Sequence, residues 1–166
     1  MPGVQVRPVE PGEHELAGRI VLSAYESLRG SHMSGGYAEV LADVARRAGE
    51  AEVLVAVGSE LLGCVTFVPD NSSPWAELLG PGEAGVRMLA VDPSAQGRGV
   101  GRALLNACIG RARQLGRAGL LLHSAPWMEA AHHLYGSAGF VRIPERDWLP
   151  VPEVPLMAFC LALAPD

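Results

Sequence analysis

Three glycines at alternate positions, Gly97, Gly99 and Gly101, stand between a run that predicts a buried strand and a run that predicts a helix. Glycine has no Cβ, so a ligand can approach the backbone of such a loop closely. The first amides of the following helix have no partner inside it, and the positive end of the helix dipole attracts anions. Arg98 and Arg102 add positive charge to the same segment. The spacing therefore predicts a loop that binds a phosphate or pyrophosphate group.

Two well-known glycine loops do not fit this spacing. The loop of nucleotide triphosphatases needs a lysine after its last glycine, and the chain contains no lysine. A dinucleotide-binding fingerprint needs glycine in its sixth position, which here is Arg102 when counted from Gly97 and Leu104 when counted from Gly99. No acidic residue follows over Gly116–Leu122, at the distance expected for a ribose contact. Both classes are excluded.

The segment from Gln96 to Gly101 resembles the [RQ]-x-x-G-x-[GA] signature of the GNAT acetyltransferase superfamily, and the strand and Val-Asp-Pro turn before it match the same family. The resemblance implies that acetyl-CoA is the cosubstrate. It implies that the backbone of Leu89, Ala90 and Val91 pairs with the pantetheine arm. Contacts to the pyrophosphate are implied for the loop and the first helical turn, namely Gln96, Gly97, Arg98, Gly99, Val100, Gly101 and Arg102.

A second segment, Ala131 to Phe140, resembles the family pattern A-x-x-L-Y-x-x-x-G-F, whose tyrosine hydroxyl lies near the coenzyme sulfur. The resemblance implies that Tyr135 is the general acid that protonates the departing thiolate. A phenol of pKa about 10 can protonate a thiolate of pKa about 8.5 across a hydrogen bond. The alternative is a tyrosine that only packs its ring in the core. Many family members carry asparagine seven residues before this tyrosine, where the chain has Met128.

The sequence does not single out a general base. An alkyl amine of pKa about 10.4 is mostly protonated at neutral pH, so its acetylation requires a proton acceptor. Many relatives place a glutamate on the strand before the glycine loop, but Gly85–Val91 contains no carboxylate. Glu83 in the loop just ahead of that strand, His123 on the fifth predicted strand, and a water molecule are the candidates. A solvated Glu83 and a His123 bonded into the sheet are the corresponding structural alternatives.

The elements that must position these residues follow from hydrophobic periodicity and turn residues. Strands are predicted at Val4–Val9, Glu52–Val57, Leu61–Val68, Val86–Val91, Gly119–Ser124, Val141–Ile143 and Pro155–Leu163. Helices are predicted at Glu13–Leu28, Tyr37–Arg47, Val100–Leu115 and Met128–Ala138. This order is that of the GNAT fold. We therefore expect an α+β protein with a mixed, mostly antiparallel seven-stranded sheet and four flanking helices, in a single domain over residues 1–166.

The composition of the chain indicates where the protein is located and which partners it binds. Thirteen basic against 18 acidic residues give a formal net charge of −5, which disfavours binding to nucleic acid. No apolar run reaches the roughly 20 residues of a membrane span, and no His, Cys or acid cluster has metal-ligand spacing. Cys64, Cys108 and Cys160 are widely spaced, as in reduced proteins of the cytoplasm. We expect a cytoplasmic protein that binds neither metal, membrane nor nucleic acid.

These patterns predict an acetyl-CoA-dependent N-acetyltransferase in which an amine attacks the thioester directly. The backbone amides near Leu89–Val91 would stabilise the oxyanion. Tyr25, Tyr37, Trp75 and Trp148 could line the acceptor entrance, which favours a small or partly apolar amine. A protein N-terminal or lysine acetyltransferase is a rival, as is a non-catalytic acyl-CoA-binding or sensing domain. The acceptor, the acyl chain length and the oligomeric state, including a homodimer, stay open.

Overall fold

The structure is a computed structural model that describes residues 3–29, 37–76, 78–151 and 154–163. The helices within these ranges are α1 (His14–Arg29), α2 (Tyr37–Ala42), α3 (Val44–Glu50), α4 (Val100–Gln114) and α5 (Glu129–Ser137). The strands are β1 (Gln5–Pro8), β2 (Glu52–Val57), β3 (Leu61–Val68), β4 (Glu83–Val91), β5 (Gly119–Ser124), β6 (Val141–Arg142), β7 (Trp148–Val151) and β8 (Val154–Ala162). Short 3-10 turns lie at Pro11–Glu13, Pro93–Ala95 and Pro144–Arg146.

The mixed α/β fold and the mostly antiparallel sheet are confirmed, but the predicted numbers of strands and helices were wrong. The described residues form eight strands and five α-helices, against seven and four expected. The extra strand is β7, inside a segment that Pro150 made unsuitable as a central strand; proline is compatible with a short edge strand. The extra helix arises at Asp43, whose side chain accepts a hydrogen bond from the amide of Arg46 and caps α3.

The chain forms two compact units, and β3, β4 and α4 contribute residues to both. The first unit comprises residues 1–67 and 88–108. In it β1 pairs antiparallel with β2, and β2 pairs antiparallel with β3. Every residue of β3 is buried, and α1 contributes Ala17, Ile20 and Val21 to the core. At Gly18 a Cβ would overlap the carbonyl oxygen of Ala42, so glycine permits the close approach of α1 to the end of α2.

The second unit comprises residues 68–87 and 109–166. Here the first half of β4 pairs in parallel with β5, from Glu83 opposite Gly119 to Val86 opposite Leu122. β5 pairs antiparallel with β8, and β6 and β7 each pair antiparallel with β8. Leu120, Leu121 and Leu122 are buried, as the uncharged run in the sequence predicts. β8 is thus hydrogen-bonded to three strands of this unit, β5, β6 and β7.

Candidate active site

The glycine loop has the backbone geometry that its sequence predicts. Gly97 and Gly99 both have φ of +79°, a left-handed conformation in which other residues are strained. A Cβ at either position would meet no atom within 4 Å, so the space beside the backbone is open. α4 begins directly afterwards at Val100, and no acidic residue occupies its first turn. Arg98 and Arg102 are exposed. These features suit a diphosphate-bearing ligand.

The turn that leads into this loop is fixed by Asp92. Its carboxylate accepts hydrogen bonds from the amide of Ser94 at 2.9 Å and from the Ser94 hydroxyl at 2.7 Å. The amide of Asp92 donates to the carbonyl oxygen of Leu62 at 2.8 Å, which ties the end of β4 to β3. Ala95 is fully buried under the turn. The Val-Asp-Pro segment therefore acts as an anchor, while the four residues from Gln96 to Gly99 are exposed.

Gly63 on β3 is a site residue that sequence reasoning missed. A Cβ at this position would lie 2.9 Å from the carbonyl oxygen of Ala90 and 3.0 Å from side-chain atoms of Val100 and Leu104. The absence of a side chain lets β3 contact both the end of β4 and the first turn of α4. A lone glycine within an apolar strand is the only signal in the sequence, and it indicates a close approach without naming the partner.

The second half of β4 carries an irregularity at Met88. This residue has φ of +53°, the one positive value at a non-glycine residue in the described ranges. Such a backbone costs roughly 1–3 kcal/mol and is concentrated at functional sites. It lies directly before the predicted pantetheine-binding residues, of which Ala90 is buried while Leu89 and Val91 are partly exposed. No sequence pattern indicates a left-handed methionine, because the conformation depends on tertiary context.

Tyr135 lies on α5 in the second unit and is buried. Its ring packs against Phe140, with centroids 6.0 Å apart, and against Phe159 at 5.7 Å. The amide of Phe140 also donates to the carbonyl oxygen of Tyr135 at 3.0 Å. The ring is therefore held firmly, and the role of its hydroxyl stays a prediction.

Met128, which replaces the asparagine of many relatives, precedes α5 and takes part in a polar contact. The hydroxyl of Ser124 donates to the Met128 sulfur at 3.6 Å. The same hydroxyl lies 3.2 Å from Nε2 of His132, which is half-buried on α5. Ser124 and His132 thus supply polar atoms beside the position where the asparagine is absent.

Glu83 is the first residue of β4 rather than part of the loop ahead of it, because pairing with Gly119 extends the strand beyond its apolar run. Its two carboxylate oxygens accept hydrogen bonds from Arg146 at 2.7 and 2.8 Å, and the amide of Gly80 donates to Oε1 at 2.8 Å. The bond with Arg146 holds the pKa of Glu83 below its ordinary value, although partial burial opposes this. A carboxylate bonded in this way is a poor proton acceptor.

His123 is bonded to the same arginine through the backbone. Its Nε2 lies 2.9 Å from the carbonyl oxygen of Arg146, and its half-buried ring stands edge-on to Trp148, with centroids 6.4 Å apart. Burial lowers the pKa of His123, and the charges of Arg146 and Arg87 act in the same direction. The bond to the Arg146 carbonyl and the charge of Asp147 oppose the decrease. The net lowering of its pKa favours the neutral form of His123.

The predicted acceptor-lining aromatic residues are found in both units. In the second unit, Trp75 stacks under the guanidinium of Arg87 at 5.3 Å, and Arg87 Nη1 donates to the Trp75 carbonyl oxygen at 3.1 Å. Trp148 contacts His123 as described above. Tyr25 lies on α1 in the first unit and is half-buried. The side chain of Tyr37 lies outside the part of the chain that the structure describes.

Within the described ranges, no group of three or more His, Cys, Asp or Glu residues could hold a metal ion. No helix in those ranges is long and apolar enough to cross a membrane. Cys64 and Cys108 are buried and Cys160 is half-buried, all as free thiols.

This fold is that of a known family of acetyl-transferring enzymes. The model of the acetyltransferase (GNAT) family matches residues 19–140. The chain therefore belongs to the GNAT acetyltransferase family.

The similarity to individual proteins is either partial in coverage or low in sequence identity. A mycothiol acetyltransferase from Geodermatophilus obscurus is 38% identical over 76 residues, which cover 42% of this chain and 25% of that relative. The chain thus spans about a quarter of the length of this curated relative. A GNAT acetyltransferase structure from Staphylococcus aureus has a TM-score of 0.77 at 13% identity and covers 98% of this chain and 100% of its own. An acetyltransferase structure from Salmonella typhimurium, determined with acetyl-CoA, has a TM-score of 0.66 at 20% identity and covers 98% of each chain.

Proposed function

We propose that this protein transfers the acetyl group of acetyl-CoA to the amine of a small acceptor molecule. The observation that carries the proposal is the loop at Gly97 and Gly99, which has left-handed backbone, open space beside it and a helix start directly after it. Family membership and a relative determined with acetyl-CoA support the same donor. The pyrophosphate would be bound by Gln96 to Arg102, and the pantetheine arm by Leu89 to Val91.

In the proposed reaction the acceptor nitrogen attacks the thioester carbonyl, the carbon–sulfur bond breaks, and the thiolate takes a proton from the hydroxyl of Tyr135. Amides of Leu89 to Val91 stabilise the charge that develops on the carbonyl oxygen. Met88 supports this role, because its left-handed backbone reorients the peptide groups just before these amides. Tight packing of the Tyr135 ring would hold its hydroxyl in one place.

The test measures release of coenzyme A from acetyl-CoA across a panel of small amines, and mass change of added proteins in parallel. We expect turnover on at least one small amine. Tyr135→Phe keeps the ring packing and should lower kcat by about 10²–10⁴-fold with unchanged acetyl-CoA affinity. His133→Ala, on the exposed side of the same helix, is the matched control and should leave kcat unchanged.

Each other result selects a rival. Acetyl-CoA binding without transfer to any amine or protein would favour an acyl-CoA sensor, and acetylation of proteins alone would favour a protein acetyltransferase. Failure to bind acetyl-CoA would overturn the proposal as a whole.

A further inference from the structure

Three elements of the second unit meet at Arg146. Its guanidinium forms the two-bond ion pair with Glu83 at the start of β4 and also donates to the carbonyl oxygen of Leu78 at 3.0 Å. Its own carbonyl oxygen contacts Nε2 of His123 on β5 at 2.9 Å. Both Nη atoms of Arg146 thus donate hydrogen bonds, and its backbone carbonyl oxygen contacts the ring of His123.

The Arg146 contact fixes the tautomer of the neutral His123 ring. A carbonyl oxygen can only accept a hydrogen bond, so Nε2 must carry the proton that is donated to it. In the neutral ring the second nitrogen, Nδ1, is then unprotonated and has a lone pair. His123 lies one residue beyond Leu122, the last β5 residue whose pairing with β4 is described above. Contact with Trp148 restricts rotation of the ring.

We propose that Nδ1 of His123 is the proton acceptor for the attacking amine, and that the Glu83–Arg146 ion pair positions it. This inference rests on the proposed function. The acceptor ammonium gives one proton to Nδ1, and the neutral nitrogen then forms the carbon–nitrogen bond to the acetyl group. The second nitrogen proton restores the hydroxyl of Tyr135 after that hydroxyl has protonated the thiolate. His123 returns its proton to water, so one proton is released per turnover.

The surroundings of His123 suit a base that works at neutral pH. Positive charge faces it from Arg87 on β4 and from Arg146, and negative charge faces it from Asp147. β8 contributes Ala158 opposite it. When Nδ1 takes a proton, the Nε2–H bond to the Arg146 carbonyl becomes charge-assisted and stronger. Glu83 is less suited to this part, because its hydrogen bonds with Arg146 lower its pKa and so make it a weaker proton acceptor.

The first test is independent of activity. In a long-range ¹H–¹⁵N spectrum at pH 8, His123 should show a protonated Nε2 and an unprotonated Nδ1. The spectrum of His123→Gln assigns the signals by their absence. A protonated Nδ1 in the neutral ring would overturn the inference.

The second test compares acceptors of different basicity. His123→Gln keeps an N–H donor for the Arg146 carbonyl but cannot take up a proton, and it should lower kcat/KM for an alkyl amine by about 10²–10³-fold. A weakly basic hydrazide, which enters unprotonated, should lose less than about tenfold. For the alkyl amine, the pH profile of kcat/KM should lose the limb that reports His123 and should instead rise with pH towards the pKa of the amine itself, about 10.4. Added imidazole should partly restore the activity of His123→Ala.

The third test addresses positioning. Arg146→Met removes a positive charge near His123 and should move the acidic limb to higher pH as well as lower kcat, whereas Arg146→Lys should keep the limb near its original pH. Arg46→Met breaks the exposed Arg46–Glu50 pair on α3 and serves as the control, with both readouts unchanged.

The outcomes separate the two proposals. If the parent acetylates amines and His123→Gln behaves like it for alkyl and weakly basic acceptors alike, a water molecule is the base and the inference is wrong. If the parent acetylates no amine, the proposed function fails and the inference fails with it.

Discussion

Replacing Gly63 by alanine tests whether close packing of β3 holds in place the backbone that we propose binds acetyl-CoA. The new Cβ would lie 2.9 Å from the Ala90 carbonyl oxygen and 3.0 Å from atoms of Val100 and Leu104. The side chains can give way, but the carbonyl belongs to β4 and moves only with its strand. Overpacking of this kind typically costs about 1–3 kcal/mol. For a chain of this size each kcal/mol lowers Tm by about 2–4 °C, so we expect a decrease of roughly 2–12 °C.

Gly110→Ala is the matched control for Gly63→Ala. Gly110 lies on the exposed side of α4, where a Cβ would meet nothing within 4 Å, so alanine should stabilise the helix by about 0.5–1 kcal/mol. Thermal unfolding followed by circular dichroism measures stability, and titration calorimetry measures acetyl-CoA affinity. Gly63→Ala should weaken acetyl-CoA binding because Ala90 and Val100 are both displaced, whereas Gly110→Ala should not. Equal Tm and equal affinity in Gly63→Ala and the parent would refute this explanation.

Three further predictions concern the loop, the core and the thiols. Gly99→Ala places a side chain at φ of +79° and should lower the free energy of unfolding by about 1–2 kcal/mol, which measurements of Tm would detect. The same variant should weaken acetyl-CoA binding, so unchanged calorimetric affinity would contradict the loop assignment. Arg47 is fully buried and donates to Thr66 Oγ1 and two backbone carbonyls, so Arg47→Met should destabilise the protein by about 2–4 kcal/mol in urea unfolding. Burial raises the pKa of Cys64 and of Cys108 to about 12. Because the unfolded thiols ionise near pH 8.5, these groups keep their full contribution to stability below that pH and lose it as pH rises towards 12. Stability should therefore fall across this window, and iodoacetamide at pH 8 should modify neither thiol before unfolding.

Local pattern was sufficient to predict much of the fold. The bounds of β2, β3 and β5 agree with those predicted, because apolar runs and turn residues mark both ends of each strand. β4 begins at Glu83 instead of Val86, since pairing with β5 rather than hydrophobicity decides where it starts. The helix predicted over Tyr37–Arg47 is divided at Asp43, where a side-chain cap competes with helix continuation.

The glycine loop could be predicted because its chemistry is local: small residues, arginines and a helix start lie next to each other in the chain. The environment of the candidate base could not be predicted from the sequence. Arg146 lies 63 residues from Glu83 and 23 residues from His123, and no periodicity links such distant positions. The sequence named both base candidates but gave no means of distinguishing them, because the distinction depends on which one the guanidinium binds.

The later part of β4 contains no carboxylate, and this bears on the pKa of the histidine on β5. Burial is the main cause that lowers the pKa of His123, and Arg87, on the strand that carries a glutamate in many relatives, acts in the same direction. A carboxylate in its place would raise that pKa and favour an imidazolium, which cannot accept a proton. Glu83 adds little negative charge, since Arg146 neutralises it through two hydrogen bonds. A neutral imidazole is therefore favoured mainly by burial and in addition by the two arginines. Arg87→Glu should raise the pKa of His123, so the acidic limb in the pH profile of kcat/KM should move to higher pH rather than show a second base.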